Sequence, residues 1–264
     1  MSDVKLKVTD LQWVYPARRR KERDVIALKD INLEVRESEF VVIVGPSGCG
    51  KSTLINLIGG LEHVIDGRIQ VDGEDVTDPG AERGMVFQGY SLFPWLTVQK
   101  NVEFGLKMKK VPKGEREQSA REYINLVGLS GFENALPRQL SGGMKQRAAI
   151  ARTLANHPKI LLMDEPFGAL DAQTRVVMQE LLAKISRETQ NTILFITHDI
   201  DEAILLADRI YVMSRRPGTI REVIDVNLKE ERNHEMLVKP EFLAMKQKIM
   251  DMLWQESQEA AIEI

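Results

Sequence analysis

The apolar run FVVIV, Phe40 to Val44, passes directly into the loop GPSGCGKST, Gly45 to Thr53, and then into the helix-compatible STLINLIGG. No other feature restricts the fold so tightly. A continuous apolar run of this kind suits a strand buried on both faces. The glycines after it let the backbone curl, so that N–H groups point inward. The helix that follows turns its positive end toward the same spot. The pattern is G-x-x-x-x-G-K-[ST], a loop that cradles phosphate oxygens. Gly45, Pro46, Ser47, Gly48, Cys49 and Gly50 form the cradle. Lys51 would reach the β- and γ-phosphates of a nucleotide, Ser52 would bind Mg2+, and Thr53 would support the phosphate contacts. Cys49 is a small filler with no redox role. The plain alternative, a chance glycine-rich turn, does not account for the strand before the loop and the helix after it.

The rest of the chain supplies a frame for such a loop. GMVFQ (Gly84–Gln88), KILLMDE, TILFITHD and RIYVMS read as strands. Helical stretches such as AQTRVVMQELLAKISRET and DIDEAILLA separate the later ones. Alternating strand and helix predicts a parallel sheet with helices on its faces. Earlier in the chain, Val4, Leu6 and Val8 alternate with polar residues, as in a half-buried edge strand. RRRKER, Arg18 to Arg23, reads as a solvated hairpin loop, and GRIQVDGEDV as a hairpin turning at Asp72-Gly73. From Tyr90 to His157 the apolar spacing is helical. GTIREVIDV reads as a last strand. Glu235–Gln258 reads as a terminal helix whose stripe Phe242, Met245, Ile249 and Met252 packs on its own domain. The predicted fold class is α/β: a phosphate-loop core with an N-terminal antiparallel β part and an inserted helical subdomain. Residues 1–264 are expected to form one domain. Its core is 1–88 and 159–225, its helical subdomain 89–158, and its helical tail 226–264.

Bulk properties narrow the function. The chain has 264 residues and a net charge of −3, so no global basic field points to nucleic acid. Cys49 is the only cysteine, which excludes an intramolecular disulfide and points to a reducing compartment. The N-terminus MSDVKLKVTD lacks the apolar core of a signal peptide, and runs such as ILLM are too short to span a bilayer. A role at a membrane must come through a partner.

Three further strand ends carry chemistry. KILLMDEP, Lys159 to Pro166, ends a buried strand in two carboxylates. Asp164 would hold Mg2+ through water, and Glu165 would polarise an attacking water. An Asp-Glu pair can also simply cap a helix; its place after a buried strand favours the metal and water roles. His198 ends ILFITHD, where a neutral imidazole would bond the γ-phosphate and the attacking water. His63, His157 and His234 read as ordinary surface or core histidines. Gln88 ends MVFQ, placing its amide in reach of Mg2+ or water.

With these pieces in order, GPSGCGKST, VFQ, LSGGMKQR, ILLMDEP, GALD and ITHD, the chain resembles the ATP-binding subunits of ABC transporters along nearly its whole length. LSGGMKQR is the most specific of them. The resemblance implies a RecA-like core, the cofactors ATP and Mg2+, and ATP hydrolysis. It implies that Ser141, Gly142 and Gly143, at the start of a helix near Met144, bind the γ-phosphate of ATP held by a second subunit. It also implies that Asp171 lies in the dimer interface and that Tyr15 stacks on adenine. Tyr15 has a plainer reading as a core aromatic, with Trp13 close by.

The same resemblance implies partners. The second ATPase subunit is identical or closely related. The segment Gln88–Val98, with Phe93, Pro94 and Trp95, forms a groove for integral membrane permease subunits, against the plainer reading of packing around an irregular loop. A solute-binding protein acts indirectly, no nucleic acid is expected, and the chain sits peripherally on the cytoplasmic face of the inner membrane. LFPWLTVQKNV, PFGALDAQTR and MSRRPG look like the group that imports nitrate, sulfonates, taurine or bicarbonate. Lys145 stands where that group more often has arginine. Two other readings compete: a soluble ABC ATPase acting on nucleic acid or ribosomes, and a non-catalytic nucleotide-binding regulator. The single cassette argues against the first, and the presence of Glu165 and His198 against the second.

Overall fold

The computed structural model describes residues 3–17, 24–228 and 233–262. The basic run Arg18–Arg23 lies outside the described residues. Strands β1 (Val4–Tyr15) and β2 (Val25–Arg36) pair antiparallel. Next, β3 (Phe40–Val44) opens a second sheet and leads through the phosphate loop into helix α1 (Lys51–Ile58). The hairpin of β4 (Asp66–Val71) and β5 (Glu74–Asp75) turns at Asp72 and Gly73, with φ of 51° and 79°. Two positive φ angles are what a tight I′-type turn requires.

One expectation fails in this first sheet. Its order is β2-β1-β4-β5, so β1 is an interior strand and not an edge. Leu6 pairs with Val35 on one side and Val71 on the other. An alternating pattern reports one covered face and is silent about pairing edges. Val4 stays exposed, while Leu6 and Val8 are buried.

After β6 (Arg83–Val86), which stops two residues short of Gln88, the chain turns helical as its spacing predicts. Helices α2 (Val98–Met108), α3 (Lys113–Leu126) and α4 (Gly142–Leu154) fill this stretch. The α/β alternation then resumes: β7 (Ile160–Asp164), α5 (Ala172–Thr189), β8 (Ile193–Thr197), α6 (Ile200–Leu206), β9 (Arg209–Met213) and β10 (Ile220–Asp225). The second sheet runs β10-β9-β3-β8-β7-β6; its pairings are parallel except that of β10 with β9. The expected terminal helix is split. A 3-10 turn, His234–Val238, precedes α7 (Pro240–Ile262), because Lys239 before Pro240 is extended. Phe242 and Ile249 are fully buried and Met245 and Met252 pack beside them, so the stripe does face its own domain.

Every residue of β3 is buried, and alternate residues serve different cores. Val41 and Ile43 join Leu54 and Ile58 of α1 under the antiparallel sheet. Phe40, Val42 and Val44 join the helices of the opposite face, including Ile150, Met178 and Leu205. Parallel strands need a cover on both sides, and the sequence provides two. Register then sets the site. Val44 lies level with Thr197, Asp164 with Ile196, and Val86 with Met163. The carboxyl ends of β3, β6, β7 and β8 therefore open onto one edge, where ligands of open α/β sheets bind.

Candidate active site

The phosphate loop is built around its own lysine. Lys51 is only 6% exposed, and its Nζ donates to the carbonyls of Gly45 at 2.7 Å and Pro46 at 3.1 Å. Gly48 and Gly50 have φ of 77° and 107°, a left-handed conformation open to glycine. Gly50 is the N-cap of α1 and brings no side chain to the helix end. By contrast α2, α4, α5 and α6 each begin on a capping Thr, Ser or Asp. The first N–H groups of α1 are thus left to the loop, the arrangement that receives a phosphate. Cys49 is buried, fits against Gly45, and has its thiol pushed up by that burial, opposed by Lys51. It packs as a filler.

Facing the loop, Ser52 Oγ donates to Asp164 Oδ1 at 3.2 Å. Burial raises the Asp164 carboxyl above its ordinary range; the Ser52 bond opposes this, neighbouring Glu165 adds to it, and Lys51 opposes it. A carboxylate strained in this way favours a cation. The donors here are a hydroxyl and a carboxylate, hard oxygens suited to Mg2+. Among the described residues no group of three or more His, Cys, Asp or Glu could hold an ion alone. Glu165 turns away from β7 at φ 43°, anchored by its N–H to the Ile196 carbonyl at 2.9 Å. Its Oε2 lies 3.1 Å from Nδ1 of His198. Gly168 lets Gln88 join them: a Cβ there would stand 3.2 Å from the Gln88 amide nitrogen and 3.8 Å from Glu165 Oε2. Glu165, His198 and Gln88, from three strand ends, share one space. His63, His157 and His234 instead bond Thr77, Tyr123 and Glu180, away from it.

Tyr15 ends β1 beside the loop, its hydroxyl 2.9 Å from Thr53 Oγ1. The ring is 41% exposed, whereas Trp13, edge-on to it, is buried. The core aromatic of this pair is Trp13.

Ser141, Gly142 and Gly143 sit elsewhere. The helix α4 starts at Gly142 rather than near Met144, with Ser141 as its N-cap accepting from the Met144 N–H at 3.3 Å. Gly142 lies against the Tyr90 hydroxyl and Gly143 against Thr174 of α5, whose own N-cap is Asp171. Asp171 accepts from the Thr174 N–H at 3.0 Å, which holds its carboxyl below the usual range. No contact described for these residues reaches Lys51. The two helix starts border one shallow cavity with Met144, Arg147 and Gln173.

The Gln88–Val98 segment carries Phe93 at 5.7 Å from Trp95 and 4.4 Å from Phe104, centre to centre. Trp95 is 73% exposed. A groove of about 500 Å³ runs beside Phe93, Phe104, Met108 and Arg152. Buried Asn101 shapes this loop, accepting from the Phe93 N–H at 2.8 Å and donating toward the Phe93, Leu96 and Thr97 carbonyls. Asn101, Tyr90 and Thr174 are not legible as site residues in the sequence. Their contacts lie between segments and follow no period.

Known proteins resemble the chain in sequence and in fold. The ABC transporter family model matches residues 28–168. A nitrate import ATP-binding protein of Synechocystis sp. is 52% identical over 254 residues, covering 94% of each chain. A taurine import ATP-binding protein of Pelagibacter ubique is 46% identical over 248 residues, covering 90% of this chain and 92% of that one. A dimeric ATP-binding cassette solved in a post-hydrolysis state with ADP and Pi superposes with a TM-score of 0.73 at 36% identity. That match covers 84% of this chain and 99% of the cassette. The chain belongs to the ABC transporter family, as an ATP-binding cassette that hydrolyses ATP to drive transport.

Proposed function

We propose that the chain is the ATPase subunit of an importer for a small oxyanion such as nitrate, bicarbonate or an organosulfonate. The observation that carries the reading is the meeting of Lys51, Ser52, Asp164, Glu165, His198 and Gln88 at one sheet edge, with Ser141 held on a separate helix start. The loop and the α1 N-terminus bind the phosphates of ATP, and Lys51 exchanges its loop carbonyls for phosphate oxygens. Ser52, Asp164 and Gln88 hold Mg2+, which neutralises developing phosphate charge when bound. Glu165 accepts the proton of the attacking water, and His198 orients that carboxylate and the γ-phosphate. Ser141, Gly142 and Gly143 close on the ATP of a second cassette. The exposure of Ser141, and its having no described contact with Lys51, support that division. Asp171, the N-cap of the helix whose Gln173 and Thr174 line the same cavity as Ser141, faces the partner, and exposed Tyr15 stacks on adenine.

The groove lined by Phe93, with exposed Trp95 packed on that ring, receives a membrane permease, and the chain then sits on the cytoplasmic face of the membrane. No helix among the described residues is long and apolar enough to cross one. The relatives named for nitrate and taurine support the oxyanion class. Affinity-purified chain is expected to carry permease subunits from membranes, and its deletion to abolish uptake of one labelled oxyanion. Copurification with ribosomes or nucleic acid and normal uptake would establish the competing soluble ATPase.

A further inference from the structure

The turn after β9, Ser214–Thr219, lies against the phosphate loop and against α7 at once. Buried Ser214 closes it: its Oγ accepts from the Thr219 N–H at 2.9 Å and lies 3.2 Å from the Pro217 carbonyl. Gly218 touches the loop so closely that a Cβ would stand 2.1 Å from the Cys49 carbonyl oxygen. Its N–H donates to Ala27 at 2.9 Å, and a Cβ on Gly50 would meet the same Ala27 carbonyl at 3.0 Å. On the loop's outer arc, Arg216 donates from its guanidinium to the Gly48 carbonyl at 3.3 Å. Nothing lies within 4 Å of where a Gly48 Cβ would be, so that arc is otherwise open on its side-chain face. From behind, Glu256 of α7 takes the Arg215 N–H at 3.0 Å and pairs with Arg221 at 2.9 Å. Glu256 is only 8% exposed, an unusual place for a carboxylate unless it is paired.

From these contacts we propose that Arg216 and Glu256 are positioning residues for nucleotide binding: the C-terminal helix, acting through the Ser214–Thr219 turn, braces the phosphate loop. The physical route is the Gly48–Cys49 peptide. Across a planar trans peptide the carbonyl and the next N–H point opposite ways. A guanidinium that holds the Gly48 carbonyl outward keeps the Cys49 N–H turned into the loop, where it donates to Pro46 at 3.4 Å. That long bond is readily given up for a phosphate oxygen. Glu256 fixes the turn that carries Arg216, so a change at α7 is felt as a change in loop order. The inference rests on the phosphate loop holding nucleotide.

The test uses the full chain, titrated with Mg-ADP by calorimetry and assayed for ATP hydrolysis. Arg216→Ala and Glu256→Ala are each expected to weaken ADP binding and raise KM about tenfold, with kcat within about twofold. Arg216→Lys and Glu256→Gln, which retain a donor and an acceptor, should recover most of the loss. The double alanine variant should bind little worse than either single one, because both cut one path. Should Glu256→Ala fail to fold, Glu256→Asp, too short to reach both the Arg215 N–H and Arg221, takes its place beside Arg216→Ala, with the same loss expected. Unchanged ADP affinity in Arg216→Ala, or a Glu256→Ala effect confined to thermal stability, overturns the brace. Lys51→Ala separates the two levels. If it binds ADP like the parent chain, the phosphate-loop reading itself falls; if only Lys51→Ala loses binding, the loop reading stands and the brace does not.

Discussion

Glu165 occupies the least comfortable backbone position in the site, a left-handed φ of 43° at a non-glycine residue. Strain of this kind persists where surroundings fix it, and here the Ile196 carbonyl and His198 do so. The conformation aims the carboxylate at the space it shares with the Gln88 amide. Glu165→Gln keeps the shape and removes the base. It should bind ATP normally and lose about 10²–10⁴-fold in turnover. With hydrolysis stopped, Mg-ATP should hold two chains together, seen as a shift to a dimer on gel filtration. Turnover equal to that of the parent chain would take Glu165 out of the mechanism.

At the scale of elements, the groove separates two kinds of residue. Trp95 is exposed and contributes little to its own fold, whereas Asn101 is buried and bonded to three residues of the loop before α2, Phe93, Leu96 and Thr97. Trp95→Ala should leave the melting temperature nearly unchanged but weaken recovery of permease on purification, since docked aromatics contribute about 2 kcal/mol or more. Asn101→Ala leaves buried loop groups unsatisfied and should cost about 2 kcal/mol of stability as well. Equal melting losses in both variants would make Trp95 a packing residue. Between α5 and α6, Glu202 is buried and accepts from Gln179 at 3.0 Å. Burial raises its carboxyl above the ordinary glutamate range, despite bonds from Thr197 and Gln179. The folded chain therefore binds this proton more tightly than the unfolded one. Its contribution to stability falls as pH rises from the ordinary glutamate value through the raised one. Glu202→Gln removes that dependence, so its melting temperature should gain on the parent's across that window. Parallel melting curves against pH would refute it.

For the whole molecule, the question is whose ATP Ser141 meets. Mixed dimers bearing two purification tags answer it with Lys51→Ala and Ser141→Arg. With the lesions on different chains, closure in trans leaves one site whole and one doubly broken. With both on one chain beside a parent chain, each site carries one lesion. Nucleotide occlusion is expected only in the first arrangement. Occlusion only in the second would remove both the trans assignment and the two-cassette mechanism.

What the sequence by itself determined is what local chain order can encode. A buried run, a glycine-rich loop and a helix are contiguous from Phe40 to Ile58, so the phosphate cradle was legible without a partner segment. The carboxylates after ILLM and the histidine after ILFIT were legible for the same reason, since a buried strand must end somewhere and polar residues mark the place. Tertiary structure decided the rest. β1 became interior because pairing edges leave no trace in an alternating pattern. Register alone set Val44 level with Thr197 and Asp164 with Ile196, and so brought Gln88, Glu165 and His198 together around Gly168. Arg216 stood in a conspicuous MSRRPG, yet its contact with Gly48 joins segments far apart in the chain. No periodicity predicts such a contact; only the packing of β9 beside β3 brings its end to the loop.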